Sequence, residues 1–443
     1  MDNKTISFGT SGVRGRYGDF PFTNAGLSAI GTAIGRWLKQ KNVAGQPHII
    51  IGRDTRFSSS EISQIISEKL LEHGVCVTDL GMVPTPVVLW TLKHNLVNNY
   101  GIVISASHNP AHDNGIKIFS VKSEFTQADE SKIEKHFSDI YTERCPRKTC
   151  AWLSEDSSHL KSYTAVVAKS FPDHFLSGRK IVLDCAHGAT VVTAPEIFKQ
   201  LGAEVIVVNG APDGYNINKN CGATHPECLA STVKKESADI GFAFDGDGDR
   251  IFMANRNGEI KDGDDVLAIL SKTPEFGKQK VMVGTVMTNE GLAQFMESEG
   301  KSLARAAVGE RWVLKEMNSQ KVSLGGETCG HIMIPSHVGT CDGAFVALKI
   351  LQAITETNNW ELKTFEHMPR VAINMPIARK IPVDADPLKS VIKQYGAATK
   401  SGRIVVRYSG TEPLLRLLVE EEHEEAAVAT AKLLSKDLEK LLC

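Results

Sequence analysis

Along this chain one arrangement of apolar and polar positions recurs three times: apolar residues at helical spacing, a glycine, then a run rich in β-branched residues. In the first copy Ile62, Ile65, Ile66 and Leu70 share a helical face behind a Ser58…Glu61 capping box, and Gly74 ends the helix before Val75-Cys76-Val77. The second passes through Ile197, Phe198 and Leu201 to Gly202 and then Val205-Ile206-Val207-Val208. The third passes through Leu292, Phe295 and Met296 to Gly300 and a weaker strand over 304–308. Strands alternating with helices of this length predict parallel α/β layers, and the repetition predicts three similar mixed α/β domains.

At 443 residues the chain is too long for one compact core. Polar stretches without a sustained period divide it near Thr142 to Ser158 with Pro146, near Asn255 to Lys261 around an Asn257-Gly258 turn, and near Glu366 to Arg370 with Pro369. The predicted domains are residues 1–150, 151–257, 258–367 and 368–443, the last a smaller α+β unit, set around a central cleft. The chain ends in a helical tail, read as packing, through Ala426, Ala427, Ala429, Leu433, Leu434, Leu438 and Leu441.

Lys plus Arg total 50 against 52 for Asp plus Glu, a formal charge of -2. No bulk field gathers nucleic acid or anionic lipid, so any anion site must be built locally. No apolar run approaches the roughly 18 residues of a membrane span, and the opening Met1-Asp2-Asn3-Lys4-Thr5 lacks a secretory pattern. These features predict a cytoplasmic protein with no nucleic-acid or membrane partner; they leave the oligomeric state open. The 9 cysteines include no Cys-x-x-Cys pair, which points away from a zinc knuckle or a disulfide framework.

Three apolar strands stop at unusual polar loops. Gly101-Ile102-Val103-Ile104 leads into Ser105-Ala106-Ser107-His108-Asn109-Pro110, Ile240 to Phe244 into Asp245-Gly246-Asp247-Gly248-Asp249-Arg250, and Val322-Ser323-Leu324 into Gly325-Gly326-Glu327-Thr328-Cys329-Gly330-His331. Ligands bind at the carboxyl ends of strands in open α/β sheets, so all three loops are placed to face one cleft. In the acidic loop the alternating glycines let three carboxylates converge, a hard-oxygen set suited to Mg²⁺. An EF-hand is excluded, because Arg250 and Arg256 stand where that loop needs glycine and glutamate.

A serine carries phosphate only if its oxygen is exposed and a cation offsets the transferred charge. Ser107, followed by His108 and Asn109 as donors, is the candidate, with Ser105 competing. A fourth loop, Arg407-Tyr408-Ser409-Gly410-Thr411-Glu412-Pro413, offers a guanidinium, hydroxyls and free N–H groups that fit a phosphate dianion. Arg14, in Gly9-Thr10-Ser11-Gly12-Val13-Arg14-Gly15, aims another cation from a glycine-flexed loop.

Taken in order, these motifs resemble the α-D-phosphohexomutase superfamily from one end of the chain to the other. The wording Ser105-Ala106-Ser107, Asp113-Asn114-Gly115-Ile116-Lys117, Asn216-Ile217-Asn218, Gly222-Ala223-Thr224 and Arg407-x-Ser409-Gly410-Thr411-Glu412-Pro413 is most similar to the bacterial branch acting on glucosamine phosphate. The resemblance implies a four-domain isomerase with phosphate on Ser107, working through a hexose 1,6-bisphosphate that also serves as activator. It implies Mg²⁺ held by Asp245, Asp247, Asp249 and the phosphoserine, with Arg14 and Arg250 complementing the charge. Lys117 and His331 match the proton-transfer positions, and Lys117 would need its pKa depressed for that work. Glu327 and Cys329 match the pair that grips sugar hydroxyls, and Arg407, Ser409, Gly410 and Thr411 the holders of the phosphate that is not reacting. Such an enzyme would feed UDP-N-acetylglucosamine synthesis.

Two positions depart from the pattern. Cys329 stands where the superfamily has serine, a stronger hydrogen-bond partner. Ser11 matches the glucose and mannose branches, where the glucosamine branch usually has aspartate. Both bear on the choice of sugar and keep those branches as alternatives. An apolar strand ending in Asp245-x-Asp247 also resembles the nucleophile loop of haloacid dehalogenase phosphatases, although those usually carry threonine or valine where Asp249 stands. A sugar-phosphate binder without catalysis is the remaining alternative.

Overall fold

The computed structural model describes residues 4–9, 12–41, 45–94, 100–120, 125–141, 153–397, 399, 402–408 and 413–442. The chain forms two compact units, Met1–Val266 with Cys329–Lys363, and Leu267–Thr328 with Thr364–Cys443.

The first unit holds two five-stranded sheets of matching topology. One runs in the order Val13–Arg16, Asp113–Phe119, Tyr100–Ile104, His48–Arg53, Cys76–Met82, and the other Ile260–Lys261, Ile251–Asn255, Ile240–Phe244, Lys180–Asp184, Glu204–Val208. In each, three parallel strands are extended by antiparallel neighbours on one side. Ile49 to Ile51, Ile102 to Ile104 and Phe242 to Phe244 are buried without alternation, as strands covered on both faces must be. Tyr100–Ile104 and Ile240–Phe244 occupy the same middle place in their sheets, so the serine loop and the acidic loop leave from equivalent carboxyl ends.

Helix Asn24–Gln40 begins where the Thr23 hydroxyl accepts from Gly26 N–H, and it buries Leu27, Ile30, Ile34, Trp37 and Leu38 against the first sheet. Gly31 lets it lie close on helix Ser59–Glu72, since a Cβ there would sit 2.8 Å from Lys69 Cβ. That second helix starts as expected, but without the capping box. Ser58 makes no side-chain cap bond. Its hydroxyl accepts from Asn114 at 2.8 Å, while Glu61 accepts from the Tyr17 hydroxyl at 2.6 Å. Tertiary partners took both side chains away from the helix end.

In the second unit Ser302–Ala306, Val281–Thr285 and Gly325–Gly326 form parallel pairs. The strand expected over 304–308 therefore starts two residues earlier, at Ser302. The strand expected at 322–324 sits instead on the glycine pair, because a Cβ at Gly325 would lie 2.8 Å from Met317 Sδ and only glycine lets the sheet meet that helix. A three-stranded antiparallel sheet, Arg370–Pro376, Leu414–Glu420, Arg403–Tyr408, completes the unit with helices Leu388–Gly396 and Glu424–Leu442. The tail helix packs as predicted, but on Ala427, Ala431, Leu434, Leu438 and Leu442, a stripe at i, i+4, i+7 spacing that leaves Leu433 56% exposed. Among the described residues no helix is long and apolar enough to cross a membrane.

Candidate active site

The serine loop and the acidic loop meet inside the first unit. Ser107 Oγ donates to Asp245 Oδ2 at 2.5 Å, although the two lie 138 positions apart in sequence. Ser107 takes φ 53, a left-handed conformation uncommon outside glycine, and its N–H donates to Ser105 Oγ at 2.8 Å. Ser105 thus braces the turn through the Ser107 N–H, while Ser107 turns its own oxygen toward the carboxylates. The expected exposure is not found, since Ser107 is only 1% accessible. The acidic loop lies directly on it, with Gly246 so close that a Cβ would stand 2.7 Å from Ser107 O and 2.9 Å from Asn218 Nδ2. Gly246→Ala is expected to push the two loops apart and lower turnover about 10-fold or more, the usual cost of misplacing reacting groups, with little loss of substrate affinity; kcat and KM measured separately check this.

Asp245, Asp247 and Asp249 are buried and offer one carboxylate oxygen each within 4.8 Å of one another. Asp245 Oδ1 accepts from Arg250 N–H at 3.2 Å. Asp247 Oδ2 accepts from Thr85 Oγ1 at 2.7 Å and from Lys117 Nζ at 2.6 Å. Asp249 is shared between Lys117 Nζ at 3.2 Å and His331 Nε2 at 2.8 Å, and Arg250 Nε lies 3.3 Å from the same ring nitrogen. Arg14, on strand Val13–Arg16, feels all three aspartates; burial lowers its pKa and no partner meets its Nε.

Burial, with Asp249 and Asp247 beside it, pushes Asp245 up to about 7. Burial acts the same way on Asp247 and Asp249 but is outweighed, at Asp247 by Lys117 and Thr85 and at Asp249 by His331 and Lys117, so both are held below the ordinary carboxylate range. His108, within 3.4 Å of Ser107 Oγ, is pushed down to about 3 by burial and by Arg250 and Arg14. It is a neutral ring. Lys117 corrects the sequence expectation: burial pulls its pKa down, but Asp247 and Asp249 pull harder and the net shift is upward. In this arrangement it is a firmly held ammonium.

The residues present fit a divalent cation. Asp247 Oδ1 is buried without a hydrogen-bond partner, a costly state for a carboxylate oxygen, and its neighbours are further hard oxygens including the Ser107 hydroxyl. Crowding that drives Asp245 toward neutrality is the strain a cation relieves.

Two residues to which the sequence reasoning gave no role belong to this site. Arg56 and Asn218 both donate to carbonyls of the serine loop. Arg56 follows the buried strand His48–Arg53 in Arg53-Asp54-Thr55-Arg56, so the rule about carboxyl ends of strands that exposed the other loops also pointed here.

Of the remaining described candidates the second unit carries Glu327 and Arg407. Glu327 is buried and accepts from Gly309 N–H at 2.9 Å. Arg407 is half-buried, with Nε unpartnered, and faces Arg416 across the antiparallel pair. Burial and Arg416 lower its pKa while Glu327 opposes them, which places the carboxylate and the guanidinium pair in one electrostatic neighbourhood. Cys329 is a free, half-buried thiol in the first unit. Ser409, Gly410, Thr411 and Ser11 lie outside the described residues.

Four family models match in sequence along the chain: phosphoglucomutase/phosphomannomutase alpha/beta/alpha domain I over residues 5–144, domain II over 159–258, domain III over 262–370 and the C-terminal domain over 371–433. Among curated proteins, the phosphoglucosamine mutase of Aeromonas hydrophila is 38% identical, with 98% of each chain covered. A phosphoglucomutase/phosphomannomutase family protein from Burkholderia thailandensis superposes with a TM-score of 0.78 at 22% identity over 97% of each chain. The Aspergillus fumigatus N-acetylphosphoglucosamine mutase, solved with GlcNAc-6P and magnesium, superposes with a TM-score of 0.65 at 15% identity, covering 100% of this chain and 97% of its own.

Proposed function

The chain belongs to the phosphoglucomutase/phosphomannomutase family, and from that premise we propose that it interconverts glucosamine 6-phosphate and glucosamine 1-phosphate with Ser107 as phosphate carrier. It is a phosphohexomutase, an isomerase. The observation that carries the reading is the 2.5 Å bond from Ser107 Oγ to Asp245, which puts a hydroxyl of the first sheet among three carboxylates of the second.

Asp245, Asp247, Asp249 and an oxygen on Ser107 would hold Mg²⁺, which when bound neutralises charge on the transferring phosphoryl group. The neutral His108 ring lies 3.4 Å from that oxygen, and Arg14 and Arg250, whose charge reaches both the ring and the aspartates, would complement the phosphate there. In the forward half-reaction the bond from Ser107 Oγ to phosphorus breaks, the sugar hydroxyl oxygen bonds to phosphorus, and the hydroxyl proton leaves to a nearby base. His331 and Lys117 are the two candidates to accept it, and Lys117, which reaches Asp247 at 2.6 Å and Asp249 at 3.2 Å, also steadies the negative oxygens of the site. The resulting 1,6-bisphosphate turns over, and its other phosphate returns to Ser107. Glu327 and Cys329 grip sugar hydroxyls in either pose, and Arg407 with Ser409, Gly410 and Thr411 holds the phosphate at rest. A hexose 1,6-bisphosphate serves as activator by phosphorylating Ser107.

Coupled assays on glucosamine 6-phosphate, glucose 1-phosphate and mannose 1-phosphate test the choice of sugar. Glucosamine phosphate is expected to have the highest kcat/KM, by about 10-fold or more, the range that one or two sugar contacts supply. Equal or faster turnover of a neutral hexose would reassign the chain to the glucose or mannose branch, which Ser11 matches. A phosphoenzyme labile to hydroxylamine would instead mark Asp245 as nucleophile.

A further inference from the structure

Two residues outside the reacting set hold the serine loop in its left-handed turn. Arg56 has a side chain that is 0% exposed and uses every direction of its guanidinium. Its Nε donates to Asp54 Oδ2 at 2.8 Å, Nη1 to Pro110 O and, at 3.0 Å, to Asp113 O, and Nη2 to Ser107 O and Asn109 O, both at 2.8 Å. Asp54 is fixed in turn by the Ser59 hydroxyl at 2.7 Å and by Arg56 N–H at 3.1 Å. From a turn beyond the edge strand Glu204–Val208 of the other sheet, Asn218 Nδ2 donates to the same two carbonyls, Ser107 O at 2.8 Å and Asn109 O at 3.2 Å. Two acceptors on that side admit only the NH₂ end of the amide, and Asn218 Oδ1 is left buried without a partner.

The geometry points to Arg56 and Asn218 as a paired clamp that positions the Ser107 loop for phosphoryl transfer. A serine at φ 53 pays a conformational penalty, which persists only where the surroundings over-determine it. Four charge-assisted or amide bonds on Ser107 O and Asn109 O supply that determination, and the consequence is the direction of Oγ toward Asp245. Because Asn218 sits on a turn tied to Ala186 O at 2.9 Å and lies against Gly246 of the acidic loop, it also fixes the serine loop in register with the carboxylates. Both are positioning residues, neither touching the reacting atoms. This inference rests on the phosphoserine reading for its functional half, and its structural half stands apart from it.

The test uses the full-length protein. Asn218 itself adopts φ 59, so Asn218→Gly removes the amide without adding backbone strain, whereas Asn218→Asp places a carboxylate against two carbonyls. Arg56→Lys keeps the buried charge and gives up the fork. Hydrogen exchange of the 105–112 backbone and the rate of Ser107 phosphorylation by glucose 1,6-bisphosphate, followed by mass spectrometry, are read together. Asn218→Gly is expected to speed exchange in that segment while the peptides of strands His48–Arg53 and Lys180–Asp184 stay protected. It is also expected to slow phosphorylation about 10-fold, and Arg56→Lys about 100-fold, with KM for sugar phosphate within about twofold, the signature of lost positioning rather than lost binding. Asn218→Asp is expected to be slower than Asn218→Gly. Unchanged exchange in the segment overturns the clamp, and faster exchange with an unchanged phosphorylation rate overturns its functional role. Failure of the wild-type protein to phosphorylate Ser107 at all, with the exchange response intact, overturns the mutase reading and leaves the clamp as a structural device only.

Discussion

Ser107→Ala is expected to lower mutase turnover on the order of 10⁴-fold or more while leaving binding of sugar phosphate near the wild-type value, because the change removes the atom proposed to carry phosphate rather than a contact to substrate. The variant is expected to fold. Ser107 N–H, not its side chain, bonds Ser105, and its carbonyl, not its hydroxyl, receives Arg56 and Asn218, so alanine keeps the turn apart from the bond to Asp245. Alanine tolerates the φ of 53 no worse than serine does in any lasting way, the frame being set from outside. Steady-state kinetics with glucose 1,6-bisphosphate present, and calorimetric binding of glucosamine 6-phosphate, check both halves. Retained turnover would remove Ser107 as carrier and return attention to the aspartates.

Asp247→Asn is the second large effect, about 10³-fold in kcat, in line with the loss of one preorganised charge at a transferring phosphoryl group. Asp247 is the middle carboxylate, fully buried, with one oxygen committed to Thr85 and Lys117 and the other unpartnered. Asparagine keeps the volume and can accept from Thr85, so the fold survives. What is lost is one of three hard anionic donors. The Mg²⁺ concentration for half-maximal activity is therefore expected to rise at least about 10-fold, as the loss of an anionic ligand dictates. In chelator the variant is expected to melt lower than wild type, because the buried Lys117 ammonium loses a charged partner at 2.6 Å and the lowered pKa of Asp247 marks its charge as net stabilising. Wild-type activity and Mg²⁺ dependence in this variant would show that the cluster serves only the fold.

Much of this was legible in the sequence because the relevant signals are local. A continuous apolar strand running into a polar loop marked Ser107 and, with alternating glycines, the three aspartates, and the strand Ile240–Phe244 lies where the pattern put it. Helix faces such as Ile62, Ile65, Ile66 and Leu70 were legible for the same reason, one face repeating at helical spacing. What failed required knowledge of partners. Ser58 and Glu61 read as a capping box until Asn114 and Tyr17, distant in sequence, claimed their side chains. The strand at Gly325–Gly326 was hidden because its residues were chosen for closeness to Met317 rather than for β propensity. Lys117 would have needed a lowered pKa to move protons; two carboxylates of the acidic loop, unseen from its own stretch of sequence, shift it upward instead. Arg56 escaped, and Asn218 stood only as part of a motif without a role, because a residue that serves a loop through its carbonyls leaves no mark on the loop's own sequence.

The account turns on phosphate residing on Ser107 between half-reactions. Rapid-quench chase of enzyme labelled with ³²P at that serine, on adding glucosamine 6-phosphate and Mg²⁺, addresses it most directly. The label is expected to leave Ser107 for sugar within a single turnover, at a rate no slower than kcat. Label that stays on the serine through many turnovers, or that is found on Asp245 instead, would contradict the mechanism.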